Sequence, residues 1–123
     1  MQRTAILLFL LIGLILPAAG AAEGHTRWRM VWRVSQVLLA GAETADIGSS
    51  WGKNEANPLV RTGQRFSYGS MAIKLGGLAG CLTAQRYLLR KNPERTPAVA
   101  SANLVAAAVL GVVAAHNMRV PRE

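Results

Sequence analysis

The sequence holds a single cysteine, two histidines and six acidic residues in 123 positions. Cys81 has no partner within the chain for a disulfide, and in its apolar surroundings it reads as a small hydrophobe. Two histidines and one cysteine are too few for a dedicated metal site, so no metal is expected. There is no Cys-x-x-Cys pair, no His-Glu-x-x-His helix and no glycine fingerprint between a strand and a helix. Gly52-Lys53 lacks the earlier glycine and the following hydroxyl of a phosphate-binding loop. Charged residues make up 16% of the chain, against about 25% in soluble domains. Internal repeats and low-complexity segments are absent too. These shortages leave no frame for catalysis, and a non-enzymatic protein without a cofactor is expected.

What is present is apolar. Hydrophobic residues are 51% of the chain, and the mean hydropathy is +0.24. Alanine, leucine, valine and glycine dominate, which suits helices packed in lipid. The length allows one domain. The net charge is +8, and the basic residues cluster beside the apolar runs: Arg27, Arg29 and Arg33; Arg61 and Arg65; Arg86, Arg90, Lys91 and Arg95; Arg119 and Arg122. Basic flanks of this kind meet lipid headgroups. No nucleic-acid-binding motif accompanies them, so no nucleic-acid partner is expected.

Taken in order, residues 1–22 read as a signal peptide: Arg3, then an apolar run from Ala5 to Leu16, then Pro17 and small residues ending at Ala22. An uncleaved anchor is the rival reading, since the segment is just long enough to span. Residues 23–123 form the helical domain. Residues 30–47 are a first span, interrupted by Arg33, Gln36, Glu43 and Asp46, and could instead lie on the membrane surface. Residues 48–65 form a connector that carries Ser49, Ser50, Glu55, Asn57 and Pro58. Asn57-Pro58 predicts the start of a short helix over 58–62.

Residues 66–89 read as the clearest span. Its Gly69, Gly76 and Gly80 fall near one face, and Gly76 to Gly80 is a Gly-x-x-x-Gly that admits a close neighbour. Asn92-Pro93 and Thr96-Pro97 bar a continuous helix and predict a tight basic turn. Residues 97–118 form a third span, antiparallel to the second. Its stripe of Asn103, Ala107, Gly111 and Ala114 is read as facing the glycines of the second. The fold class is an all-α membrane protein, a signal helix followed by a small bundle of about three helices.

Connection parity places several polar groups at one depth, whichever way the chain faces. The first span ends at the connector, the second begins there and the third returns there. Glu43 and Asp46 close the first span, Lys74 lies about 12 Å into the second at the helical rise, and His116 and Asn117 close the third. A lone charge at mid-membrane costs roughly 2.5–3.5 kcal/mol, so Lys74 is expected to pair with Glu43 or Asp46, with His116 or Asn117 nearby. One reading of such a network is that it only sets helix register. Another is a proton or ligand site in a transport element. In a third, Lys74 snorkels with no network. Ser49 and Ser50 could act as nucleophiles with His116, but no motif frames either, and a turn role suits them better.

The run Asp46-Ile47-Gly48-Ser49-Ser50-Trp51-Gly52-Lys53-Asn54-Glu55-Ala56-Asn57-Pro58-Leu59 precedes a lysine-bearing, glycine-rich span and a final span ending in His116-Asn117. In this the chain resembles a group of small uncharacterised bacterial membrane proteins with a domain of unknown function, in which an acidic helix end precedes a Glu-x-Asn-Pro-Leu turn. The resemblance covers residues 34–117. It implies a few-span membrane protein of bacterial type, and no activity; a bacterial inner membrane is the expected location. The lipid bilayer, further copies of the chain or another membrane protein are the expected partners. A cleaved signal puts residue 23 outside the cytoplasm and the connector inside. The basic turn then faces outward, against the positive-inside preference. A surface-lying first segment would remove that conflict.

Overall fold

The computed structural model describes residues 22–54, 63 and 65–121, with Ala22 and Glu23 described in backbone only. The signal-peptide assignment, the side chains of Glu55, Asn57 and Pro58, and the short helix expected over 58–62 lie outside them. Helix accounts for 88% of what is described, without a strand, so the all-α bundle is the fold.

Three helices follow one another: α1 over Ala22–Ser50, α2 over Tyr68–Lys91 and α3 over Thr96–Arg119. α1 is longer than expected, starting eight residues earlier and running through Ser50. Ser49 and Ser50 therefore belong to its last turn, not to a connector. The Ser49 hydroxyl donates to the Asp46 carbonyl at 3.0 Å, inside the helix. Serine and threonine are tolerated here because their hydroxyls bond back to the preceding turn, as Ser35 does to Trp32 at 2.7 Å and Thr44 to Ala40 at 2.8 Å.

α1 ends at a turn in which Gly52 has φ +72°. That left-handed conformation strains any L side chain. The Gly52 amide donates to Phe66 at 3.3 Å, and the Phe66 amide to Lys53 at 2.7 Å, which pins the segment after α1 to the start of α2. Gly52→Ala should therefore cost about 1–2 kcal/mol, measured as a lower unfolding midpoint, although a methyl at this site meets nothing within 4 Å. An unchanged midpoint would mean that this turn does not need glycine.

α2 stops where Asn92 caps it, its amide donating to Leu88 at 2.8 Å. Pro93 then opens a 3-10 turn, Pro93–Arg95. The Thr96 hydroxyl donates to Pro93 at 2.6 Å, and Pro97 sits in the first turn of α3, where a missing N–H is harmless. Arg90 and Lys91 face the carbonyl end of α2, where cations are favoured.

Ser35 meets Asn103 and Ser50 meets Asn117, so α1 and α3 run parallel. Trp32 meets Gln85 and Asp46 meets Lys74, so α2 runs antiparallel to both. The closest packing is between α1 and α3, and this corrects the expected pairing of small-residue stripes. Ala100, Asn103 and Ala114 are buried and Ala107 half-buried, along the α3 face that meets α1. Gly111 is exposed. On α2, Gly69 is half-buried, while Gly76 and Gly80 are exposed, and a Cβ at either would touch nothing within 4 Å. The physical reason lies on α1. Ser35, Ala42 and Ser49 form its own stripe of small residues seven apart, which lets α3 approach.

The interior mixes apolar and polar groups: Leu39, Ile47, Phe66, Leu89, Ala100 and Ala114 are buried alongside Ser35, Asp46, Ser49, Ser70, Thr96 and Asn103. The most deeply buried of the larger side chains are Thr96, Asp46, Ser35 and Ser70, while Met30, Val37, Val112 and Met118 are each about 70% exposed. Among the described residues one helical stretch, Pro93–Arg119, is long and apolar enough to cross a membrane, with a mean hydropathy of 2.1. The stretch 66–89, expected as the clearest span, does not reach that measure. Its glycines, Lys74 and Gln85 lower its hydropathy, whereas Ala and Val fill α3.

Candidate functional site

Two polar layers tie the three helices together, and each is built from one or two residues per helix. The layer near the connector centres on Asp46, which is 2% exposed. Lys74 of α2 forms a salt bridge with its Oδ2. Asn117 of α3 donates from Nδ2 to Asp46 Oδ1 at 3.4 Å and to Ser50 Oγ at 3.0 Å. Lys53 donates from Nζ to the Asn117 carbonyl, placing a cation at the negative end of α3. Lys74 Nζ also stands 5.4 Å from the centre of the Phe66 ring, within reach of a cation–π attraction. Trp51 packs edge-on against Tyr68 at 4.9 Å and Phe66 at 6.1 Å, closing the layer on its connector side.

Not all the residues expected here take part. Of the two candidate carboxylates Lys74 takes Asp46. Glu43 is half-buried and makes no ion pair or hydrogen bond among the described residues. Asn117 enters the layer, while His116 is exposed and stands outside it. Adjacent residues on a helix point about 100° apart, so His116 and Asn117 could not both face the interior. Ser49 bonds to the Asp46 carbonyl and Ser50 accepts from Asn117, and neither hydrogen-bonds to His116 among the described residues. A recess of about 180 Å3 is lined by Gly52, Lys53 and Asn117, but Asp46 does not line it.

The second layer lies 11 residues back along α1, about 16 Å at the helical rise. It was not anticipated. Gln85 and Asn103 exchange two hydrogen bonds: Gln85 Nε2 donates to Asn103 Oδ1 at 2.7 Å, and Asn103 Nδ2 donates to Gln85 Oε1 at 3.0 Å. Asn103 Nδ2 also donates to Ser35 Oγ at 3.1 Å, and Trp32 Nε1 donates to Gln85 Oε1 at 3.2 Å. Every helix contributes, and every member is bonded. This matters because an unpaired polar group in apolar surroundings costs several kcal/mol. The signal was present in the sequence as isolated polar residues (Ser35, Gln85 and Asn103) inside apolar helices. By sequence, Asn103 reads as one of a small-residue stripe.

Neither layer has the donors of a metal centre. Among the described residues no three His, Cys, Asp or Glu side chains converge. Chemically, both layers can hold helices in register, and neither presents a free nucleophile beside a base. No protein family, curated protein or solved structure matches this chain, so its functional reading stands on this geometry.

Proposed function

We propose that the chain is a small, non-enzymatic membrane protein of a bacterial inner membrane, acting as an accessory or assembly component whose three helices cross the bilayer together. The observation that carries this is the burial of several polar groups beneath an exposed apolar belt. Asp46, Ser35, Ser70, Thr96 and Asn103 are inside, and a belt of Met, Val, Leu and Ile is outside. Water favours the opposite arrangement, and exposed apolar surface on this scale marks contact with lipid or with another protein. α1 runs beside α3 with matched polar layers, which supports its crossing with α3 over a surface-lying placement. α2 and α3 are each 24 residues long, about 36 Å at the helical rise, which suits a hydrocarbon core of about 30 Å. Kinship with the bacterial proteins bearing the Glu-x-Asn-Pro-Leu turn is part of the same proposal.

The internal pairing of Asp46 and Lys74 favours a register-setting role for that layer over a transport or proton-coupled one. The latter needs the pair to border water. Extraction decides the membrane reading. The full chain should stay with membranes after alkaline washing and need detergent to dissolve. A monodisperse protein in plain buffer would contradict it.

The accessory role rests on the open glycine groove of α2, free for a helix from another chain. Gly80→Leu should leave the fold within about 1 kcal/mol of the parent, since no neighbour is near and glycine is itself a poor helix former. It should also abolish most crosslinking between chains in membranes. A parent protein that is strictly monomeric and captures no partner helix would remove this role.

A further inference from the structure

α1 and α2 each carry two arginines one turn apart on a single face: Arg29 with Arg33, and Arg86 with Arg90. The bundle sets these pairs on a cleft of about 680 Å3, at the end where α2 turns back into α3. Like charges four residues apart destabilise a helix, and here two such pairs share one opening. No carboxylate lines the cleft. None of the four guanidinium groups has an ion pair or hydrogen bond among the described residues.

Three further features point the same way. Thr96, the first residue of α3, is in the lining, so the positive end of the α3 dipole lies at this end, although the Thr96 amide itself donates to Pro93. Gln36 lies about one turn further along α1 and also lines the cleft, and its Nε2 is buried without a hydrogen-bond partner. The volume falls in the range of small-ligand sites, larger than a bare ion needs.

We propose that this cleft binds a phosphate group, carried by an anionic phospholipid headgroup or by a soluble phosphate ester. The guanidinium fork matches two phosphate oxygens at once. Arginines from α1 and α2 on one phosphate would clamp two helices that otherwise share few contacts. The lipid source rests on the membrane reading above, whereas the soluble source does not.

The test uses the purified full chain. It is titrated with inorganic phosphate, with glycerol phosphate, and with micelles containing phosphatidylglycerol or, as the uncharged comparison, phosphatidylcholine. Native mass spectrometry and tryptophan fluorescence read occupancy. Saturable binding is expected for phosphatidylglycerol, for glycerol phosphate or for both, and it should weaken as salt rises. Arg29→Gln with Arg33→Gln, and separately Arg86→Gln with Arg90→Gln, should each weaken it by about tenfold or more. Arg119→Gln, at the opposite end of the bundle, should change it by less than about twofold. Saturation by phosphatidylglycerol alone assigns the headgroup source; saturation by glycerol phosphate as well assigns the phosphate ester itself. The proposal is overturned if no anionic probe saturates, or if Arg119→Gln weakens binding as much as the paired variants. A chain that dissolves without detergent would end the membrane reading, yet the soluble phosphates would still report on the cleft.

Discussion

Lys74→Leu is expected to destabilise the bundle by about 3–5 kcal/mol, Asp46→Leu by clearly less, and the double variant is expected to recover most of the loss. The asymmetry follows from where each charge can go once its partner is removed. Asp46 has a short side chain and is 2% exposed. Without Lys74 its carboxylate keeps, among the described residues, only Asn117 at 3.4 Å. Lys74 is more accessible, with 16% of its side chain exposed. Without Asp46 its long stem can swing toward the connector end, where Phe66 already lies beneath it. Two leucines leave no buried charge, and a packed apolar pair is often as stable as the ion pair it replaces. Unfolding of the full chain in mixed micelles, titrated with a denaturing detergent, measures all three variants. Simple additivity of the single losses would show that the two residues do not act as a pair.

Asn103→Ala should cost about 2–4 kcal/mol, from three hydrogen bonds at roughly 0.6–1.7 kcal/mol each in a membrane setting. Gln85 would lose both bonds of its reciprocal pair, and Ser35 would lose the donor to its hydroxyl. The loss should appear at the α1–α3 interface, because Asn103 is the residue of α3 that bonds to both other helices. Adding Gln85→Ala to Asn103→Ala should cost less than Gln85→Ala costs alone, since the partner amide is already gone. The same micelle titration measures this, together with amide exchange along α1. A loss below about 0.5 kcal/mol would mean that water replaces the missing amide and that the layer is wet.

Much of the architecture could be read from local signals. Pro93 and Pro97 set the break between α2 and α3, because a proline interrupts the helix ladder wherever it falls. Connection parity puts Asp46, Lys74 and Asn117 at one level of the bundle, since it depends only on the up-and-down order of the helices. Local signals failed where the outcome depended on which neighbour a helix would meet. Gly76 and Gly80 advertise a close approach, and yet α3 lies against α1. Ser49 and Ser50 resemble turn residues, but their hydroxyls are satisfied within the last turn of α1 and by Asn117. Gln85 and Asn103 each look like an interruption of an apolar helix. Only together, 18 residues apart and facing one another, do they form a layer.

The order of residues alone therefore determined the helical class, the turn between the last two helices and the shared level of Asp46, Lys74 and Asn117, because these follow from backbone sterics and the rise per residue. The folded chain decided which carboxylate Lys74 takes, why His116 is left out, and that four arginines distant in sequence border one cleft. Those outcomes depend on the rotation of each helix about its axis. That rotation is set by how side chains from all three fit together, and no single segment carries it.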